Sequence, residues 1–233
     1  MPLPFGNRLL DALPPADARR LAALSKIVRL ERGDRTATEG VRMHNVDFPV
    51  TALMSVAGLL EDGTTVEVAT VGSESFVEID AALECDIALR NATCQFAGDS
   101  VRFKLDDFQA ALDACRPFAV RVRRSIRARA FVSEQLQMCN VRHTIRRRLA
   151  RWLLMAAERL GQTEFSVTHD FLAGSLGVRR AGITTALSRF QAAGAISLRR
   201  GLIAITDDRR LTAITCECFE ACRRAVAESL DGA

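Results

Sequence analysis

The spacing of apolar positions divides the chain into three stretches of different period. Residues 7–25 place Leu9, Leu10, Leu13, Leu21 and Leu24 around Pro14-Pro15, which predicts two short helices about a turn, with Asp17 able to cap the second. Residues 26–104 switch to short runs rich in β-branched and apolar residues: Ile27–Leu30, Val46–Val50, Leu53–Val56, Thr65–Val71 and Ala92–Phe96. Turn signals at Arg32-Gly33-Asp34, Glu39-Gly40, Glu61-Asp62-Gly63 and Ala97-Gly98-Asp99 separate them. Many short strands at this spacing predict an antiparallel sandwich or barrel.

From Leu105 the period becomes helical. A short helix is expected over Asp107–Cys115, with Pro117 marking a break or a fresh start. A long helix then runs from Phe118 to about Asn140. One stripe on it, Phe118, Val122, Ser125, Arg129, Val132, Leu136 and Cys139, alternates spacings of four and three. That is a heptad seam with two polar members, and it predicts a second copy of the chain as partner. Phe118, Val122, Ile126, Arg129, Val132 and Leu136 are the expected interface, against the alternative of one helix packed on its own domain. Another helix is expected over Val141–Leu160. Its apolar face carries Ile145, Leu149, Trp152, Leu153 and Ala156, Gly161 stops it, and Arg146, Arg147, Arg148 and Arg151 lie on or near the other face.

The segment Phe165–Thr206 carries the most specific pattern. Thr168 can cap a helix from His169 to Leu176, and Gly177-Val178 supplies a tight turn. A second helix is expected from Arg179 to about Ala193, with Ile183, Ala186, Leu187 and Phe190 on its buried side. Ile196–Leu198 and Leu202–Ile205 then flank Arg199-Arg200-Gly201 as a hairpin with a basic tip. Helix, glycine turn, helix and basic hairpin make a winged helix-turn-helix. A DNA major groove about 12 Å wide admits one helix, whose N-terminal end meets the base edges. That end holds Arg179, Arg180, Thr184, Thr185 and Ser188, while Thr168, His169, Arg189, Arg199 and Arg200 are placed to reach the backbone.

Charge supports this reading. Residues 1–117 hold 12 basic and 18 acidic side chains, a net of −6; residues 118–233 hold 20 and 10, a net of +10. The overall +4 conceals this segregation, which suits a polyanionic partner for the second half. Seven cysteines, an odd number, together with a first segment that does not read as an export signal, lead to the expectation of reduced thiols and a cytoplasmic protein. No apolar run approaches the ~18 residues of a membrane span. No phosphate loop, nucleophile elbow or zinc-spaced His/Glu motif is found, so an enzyme is not expected. Cys216, Cys218 and Cys222 form the one dense thiol group; they are read as buried cysteines of a terminal helix, with a redox or metal role as the alternative, and no metal or cofactor is assigned.

The Phe165–Thr206 segment resembles the C-terminal domain of Crp-Fnr transcription regulators, and the order of roll, long helix and winged helix upstream resembles the same family. Gly33-Asp34, Phe48-Pro49 and Asp62-Gly63 fall where that family's roll places turn residues. The resemblance implies an α+β chain: a β-roll sensor over 1–116, a dimerisation helix over 117–140, and a winged helix-turn-helix over 141–233. It implies a homodimer that regulates transcription on a (pseudo)palindromic DNA site, with RNA polymerase as a further partner. Recognition helices of well-known members begin Ser-Arg-Glu and carry a later arginine. Here the run is Arg179-Arg180-Ala181, with Thr185 at the later position, so a different operator is expected. Members that bind cyclic nucleotides carry Gly-Glu near Arg-Ser/Thr; the nearest match is Gly72-Ser73-Glu74 with Arg90-Asn91. The inserted serine disfavours cyclic AMP, so Glu74 and Arg90 are candidate contacts for an unknown small-molecule effector, or plain surface residues. The competing function is a ligand-sensing roll that acts through protein contacts rather than DNA.

Overall fold

A computed structural model describes residues 5–199 and 201–231. In chain order the elements are α1 (Arg8–Asp11), α2 (Pro15–Ala23), β1 (Ser25–Leu30), β2 (Arg35–Ala37), β3 (Asn45–Pro49), β4 (Leu53–Leu59), β5 (Thr65–Val71), β6 (Asn91–Phe96), β7 (Gly98–Lys104), α3 (Leu105–Ala114), α4 (Arg116–Arg142), α5 (Ile145–Leu160), β8 (Glu164–Ser166), α6 (His169–Leu176), α7 (Arg180–Ala192), β9 (Ile196–Arg199), β10 (Leu202–Ile205), α8 (Asp208–Ile214) and α9 (Cys218–Leu230).

The first seven strands form two antiparallel sheets, β1-β7-β3 and β2-β6-β4-β5. Their facing sides enclose a core of phenylalanines. Phe48 and Phe76 stack at 5.3 Å, Phe103 meets Phe48 edge-on at 5.4 Å, and Phe108 meets Phe118 edge-on at 5.7 Å. Such offset and edge-on pairs add to the burial of the rings themselves. Phe118 comes from α4 and Phe108 from α3, so both helices close the roll. Asn7 fastens the N-terminus to it: its carbonyl oxygen accepts from Leu9 N and Leu10 N as the α1 cap, and its amide donates to Pro49 O at 2.7 Å and Ser75 O at 3.0 Å.

A second core gathers α5, α6, α7, α8 and α9 around Leu149, Leu153, Leu172, Ile183, Leu187 and Phe190, and the sheet β8-β10-β9 borders it. The chain is therefore α+β, with a roll, a long helix and a winged helix-turn-helix.

Several expectations change in detail. Pro14 stands at the cap of α2, which has no side-chain cap, so Asp17 lies in its first turn instead of capping it. Helix α4 continues two residues past Asn140, breaks at His143-Thr144, and α5 starts at Ile145 rather than Val141. Arg148 and Arg151 lie inside: Arg148 Nη2 donates to Leu176 O at the end of α6, and Arg151 is 4% exposed. The expected interface stripe also faces inward. Phe118 and Val122 are in the roll core, Ile126 packs against that core, and Arg129 donates to Val77 O at 2.9 Å. Val132 and Leu136 belong to the second core. The spacing of four and three is real, but it reports packing of α4 on its own domains. In this structure these six residues are not a free face for another chain.

Candidate DNA-binding face and effector cavities

The sequence of α6 and α7 fixes the geometry of the putting-together of two helices. Thr168 Oγ1 accepts from Phe171 N at 3.1 Å and caps α6. Gly177 ends it with φ +60°, a left-handed conformation that costs glycine little, and its N–H closes onto Ala173 O and Gly174 O. Arg179 is the residue before the next helix, not its first turn; α7 starts at Arg180. Ile183, Ala186, Leu187 and Phe190 bury one side of α7. The opposite side leaves Arg179, Arg180, Thr184, Thr185, Ser188 and Arg189 exposed together.

The threonines are pre-set. Thr184 Oγ1 donates to Arg180 O at 3.2 Å and Thr185 Oγ1 to Ala181 O at 3.0 Å. Each hydroxyl hydrogen is used inside the helix, while the oxygen keeps a lone pair for a donor. His169 Nδ1 lies 3.0 Å from Thr184 Oγ1 and ties α6 to α7. Arg180 Nε is 3.5 Å from Asp170 Oδ1 in an exposed pair, which solvent screens. Sequence reasoning did not single out Asp170, which stands one helical residue after His169.

The hairpin β9–β10 stands beside this face. Thr168, His169, Asp170, Arg180 and Arg199 share one surface cleft with the strand β10. Arg199 is exposed and pairs with Leu202 across the hairpin. Arg200 lies outside the described residues. Thr168, His169, Arg180 and Arg199 thus line one cleft, and Arg179, Thr184, Thr185, Ser188 and Arg189 are exposed at or along α7.

Residues 147–214 match the Crp-like helix-turn-helix domain. The whole fold also matches solved structures. FixK2 from Bradyrhizobium japonicum aligns with TM-score 0.69 and 16% identity over 82% of this chain and 98% of that one. A Crp/Fnr-family transcriptional regulator from Eubacterium rectale aligns with TM-score 0.65 and 19% identity over 88% and 96%. The c-di-GMP-responsive global regulator CLP from Xanthomonas campestris aligns with TM-score 0.65 and 16% identity over 82% and 99%. The chain has the Crp/Fnr fold and carries a Crp-like helix-turn-helix domain. Among curated proteins none matches its sequence.

Within this Crp/Fnr fold the two candidate effector residues do not meet. Arg90 is exposed, and its Nη1 donates to Leu89 O at 2.6 Å. It lines a cavity of about 340 Å³ between the roll and α4, with Glu78, Asp80, Ile126, Arg129 and Ser133. Glu74 is buried and lines another cavity, of about 240 Å³, where β5, α4, α5 and α6 converge. Its Oε1 accepts from Arg159 Nε at 2.9 Å. Trp152, the single tryptophan, borders the same space and donates from Nε1 to Glu67 Oε1 at 3.5 Å. Burial pushes the Glu67 carboxyl above its ordinary range, against hydrogen bonds from Ser55, Trp152 and Thr70. A further buried acid missed in the sequence is Glu78, which burial and the neighbouring Asp47 carboxylate push up to about 8.

Proposed function

We propose that this chain is a transcription regulator that binds a (pseudo)palindromic DNA site as a homodimer. The observation that carries the reading is α7, where Arg179, Arg180, Thr184, Thr185, Ser188 and Arg189 are exposed and Arg180 shares a cleft with Arg199 of the wing. Arginine can fork onto guanine O6 and N7. The threonines and Ser188 offer methyl groups to thymine and oxygens to backbone or base donors. Thr168, His169, Arg189 and Arg199 hold the phosphates, and the segregated positive charge draws in the duplex.

The partner surface is a second stripe on α4. Arg127, Phe131, Glu134, Met138 and Val141 follow each other at spacings of four, three, four and three, all exposed. Phe131, Met138 and Val141 are 41%, 55% and 83% exposed, unusual for large apolar side chains. A second copy, packed in a coiled coil along this stripe, would cover them. The roll over 1–116 is the sensor, α4 the relay, and 141–233 the DNA-binding unit, with RNA polymerase as the downstream partner. The effector is a small molecule other than cyclic AMP, since Glu74 is paired through Oε1 with Arg159 and Arg90 lies on a different cavity.

Selection of binding sites from a random duplex pool at fixed moderate salt tests this. Enrichment of two inverted half-sites about one DNA turn apart, roughly 34–36 Å, is the expected result. Absence of any enriched sequence at low and moderate salt, with a binding constant indifferent to ionic strength, would favour a roll that acts through protein contacts.

A further inference from the structure

Near the break between α4 and α5, four side chains from two distant parts of the sequence converge. Cys139 lies in the last turn of α4, and His143 is the residue that ends the helix, its N–H donating to Cys139 O at 3.0 Å. Cys216 and Cys218 flank Glu217 at the junction of α8 and α9. The three thiols are buried, at 0%, 5% and 1% exposure. Cys139 Sγ lies 3.6 Å from Cys216 Sγ, and Cys218 Sγ lies 3.6 Å from His143 Nδ1. The four ligand atoms all fall within 4.8 Å of one another.

We propose that Cys139, His143, Cys216 and Cys218 hold one tetrahedral divalent metal ion, of which zinc is the best match. Zinc sits about 2.3 Å from a thiolate and about 2.0–2.1 Å from an imidazole nitrogen. A tetrahedron of those bonds has edges of about 3.8 Å between sulfurs and about 3.6 Å from sulfur to nitrogen. The Cys139–Cys216 and Cys218–His143 distances match those edges, and the other ligand atoms, all within 4.8 Å of one another, need to close only slightly on a single ion. A multi-iron cluster would hold its ligands farther apart. Soft thiolates with one imidazole, and no open position, are the donor set of a structural zinc site.

The surroundings are those of a metal centre. His143 turns Nδ1 towards Cys218 and Nε2 towards Glu217 Oε1, 3.3 Å away. A carboxylate on the far nitrogen fixes the tautomer that leaves Nδ1 free to ligate. Gln135 Nε2 donates to Cys218 Sγ at 3.2 Å, which suits a thiolate. Three thiolates and a divalent ion carry a net charge of −1. Arg151 is buried, and its Nε lacks a hydrogen-bond partner among the described residues. Loading the ion releases the three thiol protons to solvent. The ion would then clamp the end of α4 to the α8–α9 junction, across the break that joins the long helix to the DNA-binding domain. Cys222, grouped with the other two by sequence, instead packs in the second core. This inference stands apart from the DNA-binding reading.

Cobalt titration of the full-length, reduced, chelator-treated protein tests it. One Co²⁺ per chain is expected, with the visible bands of tetrahedral coordination and a near-ultraviolet thiolate-to-cobalt charge-transfer band, both bleached by Zn²⁺. Cys139→Ser and Cys216→Ser should lose most of the charge-transfer intensity, and Cys85→Ser, an exposed thiol elsewhere, should match the parent. Glu217→Gln should keep the spectrum and weaken zinc binding by about 10–100-fold, as loss of an outer partner does. Circular dichroism checks each variant; if the cysteine variants do not fold, His143→Ala and Glu217→Gln carry the test. Absence of tetrahedral bands in the parent, unchanged binding in folded Cys139→Ser, or several irons per chain in anaerobically purified protein would each overturn the proposal.

Discussion

Glu74 Oε1 accepts a hydrogen bond from Arg159 Nε at 2.9 Å, and this pair, with side chains only 8% and 12% exposed, joins the roll to the first helix of the DNA-binding domain. Nearby, Gly72 leaves the space that Arg159 occupies: a Cβ on Gly72 would come 2.7 Å from Arg159 Cβ. Removing one partner of a buried pair strands the other and costs about 3–5 kcal/mol while the interface stays closed. The domains can avoid that cost by parting and hydrating the stranded group. Glu74→Ala and Gly72→Ala are therefore expected to undock them. Trp152, at this junction, reports the change: its emission should shift to the red in both variants. Emission unchanged from the parent would show that other contacts, such as Phe96 against Phe165 at 5.9 Å, suffice to hold the domains together.

Base preference should separate from simple affinity within the exposed face. Arg180→Ala should relax selection at one base pair of each half-site and cost about 1–3 kcal/mol there. Arg199→Ala on the wing should weaken all sequences alike and lower the log–log salt slope by about one. Binding-site selection and a salt titration for each variant decide this. A uniform loss from Arg180→Ala would demote it to a phosphate contact.

The helix-turn-helix was legible because its signals are local: a cap at Thr168, a glycine at 177, and an apolar face repeated every three or four residues. The seam on α4 was half legible. Its apolar period was read correctly, but a period cannot say whether a buried face meets its own domain or another chain, and Phe118 and Val122 met the roll. The cysteine cluster was the least legible, because Cys139 and His143 lie more than seventy residues from Cys216 and Cys218. Two local signals were present: Cys139 and His143 four residues apart, and Cys216 and Cys218 with one residue between them. Only the packing of α9 along α4 joins them.

The inward turn of the first α4 seam makes a directed test of the second possible. Met138→Asp should convert a dimer to a monomer in light scattering, with little change in unfolding temperature, since Met138 is already more than half exposed. Val122→Asp should instead unfold the roll, because a carboxylate would be buried without a partner. A dimer that survives both Met138→Asp and Phe131→Asp would mean that the copies meet elsewhere.

Stability should fall with rising pH through Glu78. Its ordinary value is 4.5, and burial and the Asp47 carboxylate push it up to about 8 in the folded chain. Between those values the folded state holds a proton that the unfolded chain has released. The stabilisation is thus complete below about 4.5 and is lost as pH rises through about 8, by about 1.4 kcal/mol per pH unit within the window. Other groups contribute to the pH dependence, including Asp47, which burial raises despite its two-pronged pairing with Arg102. The difference between the parent and Glu78→Gln isolates the glutamate. Glutamine keeps a carbonyl oxygen for the hydrogen bond that Glu78 Oε2 accepts from Asp47 N at 2.8 Å, and it carries no proton to lose. Urea unfolding at pH 5.5 and pH 8.5 should show the parent losing more stability than Glu78→Gln, by an amount on the order of a few kcal/mol. Equal losses in the two proteins would mean that Glu78 is ionised in the folded state, with Arg129 on the shared cavity as its counter-charge.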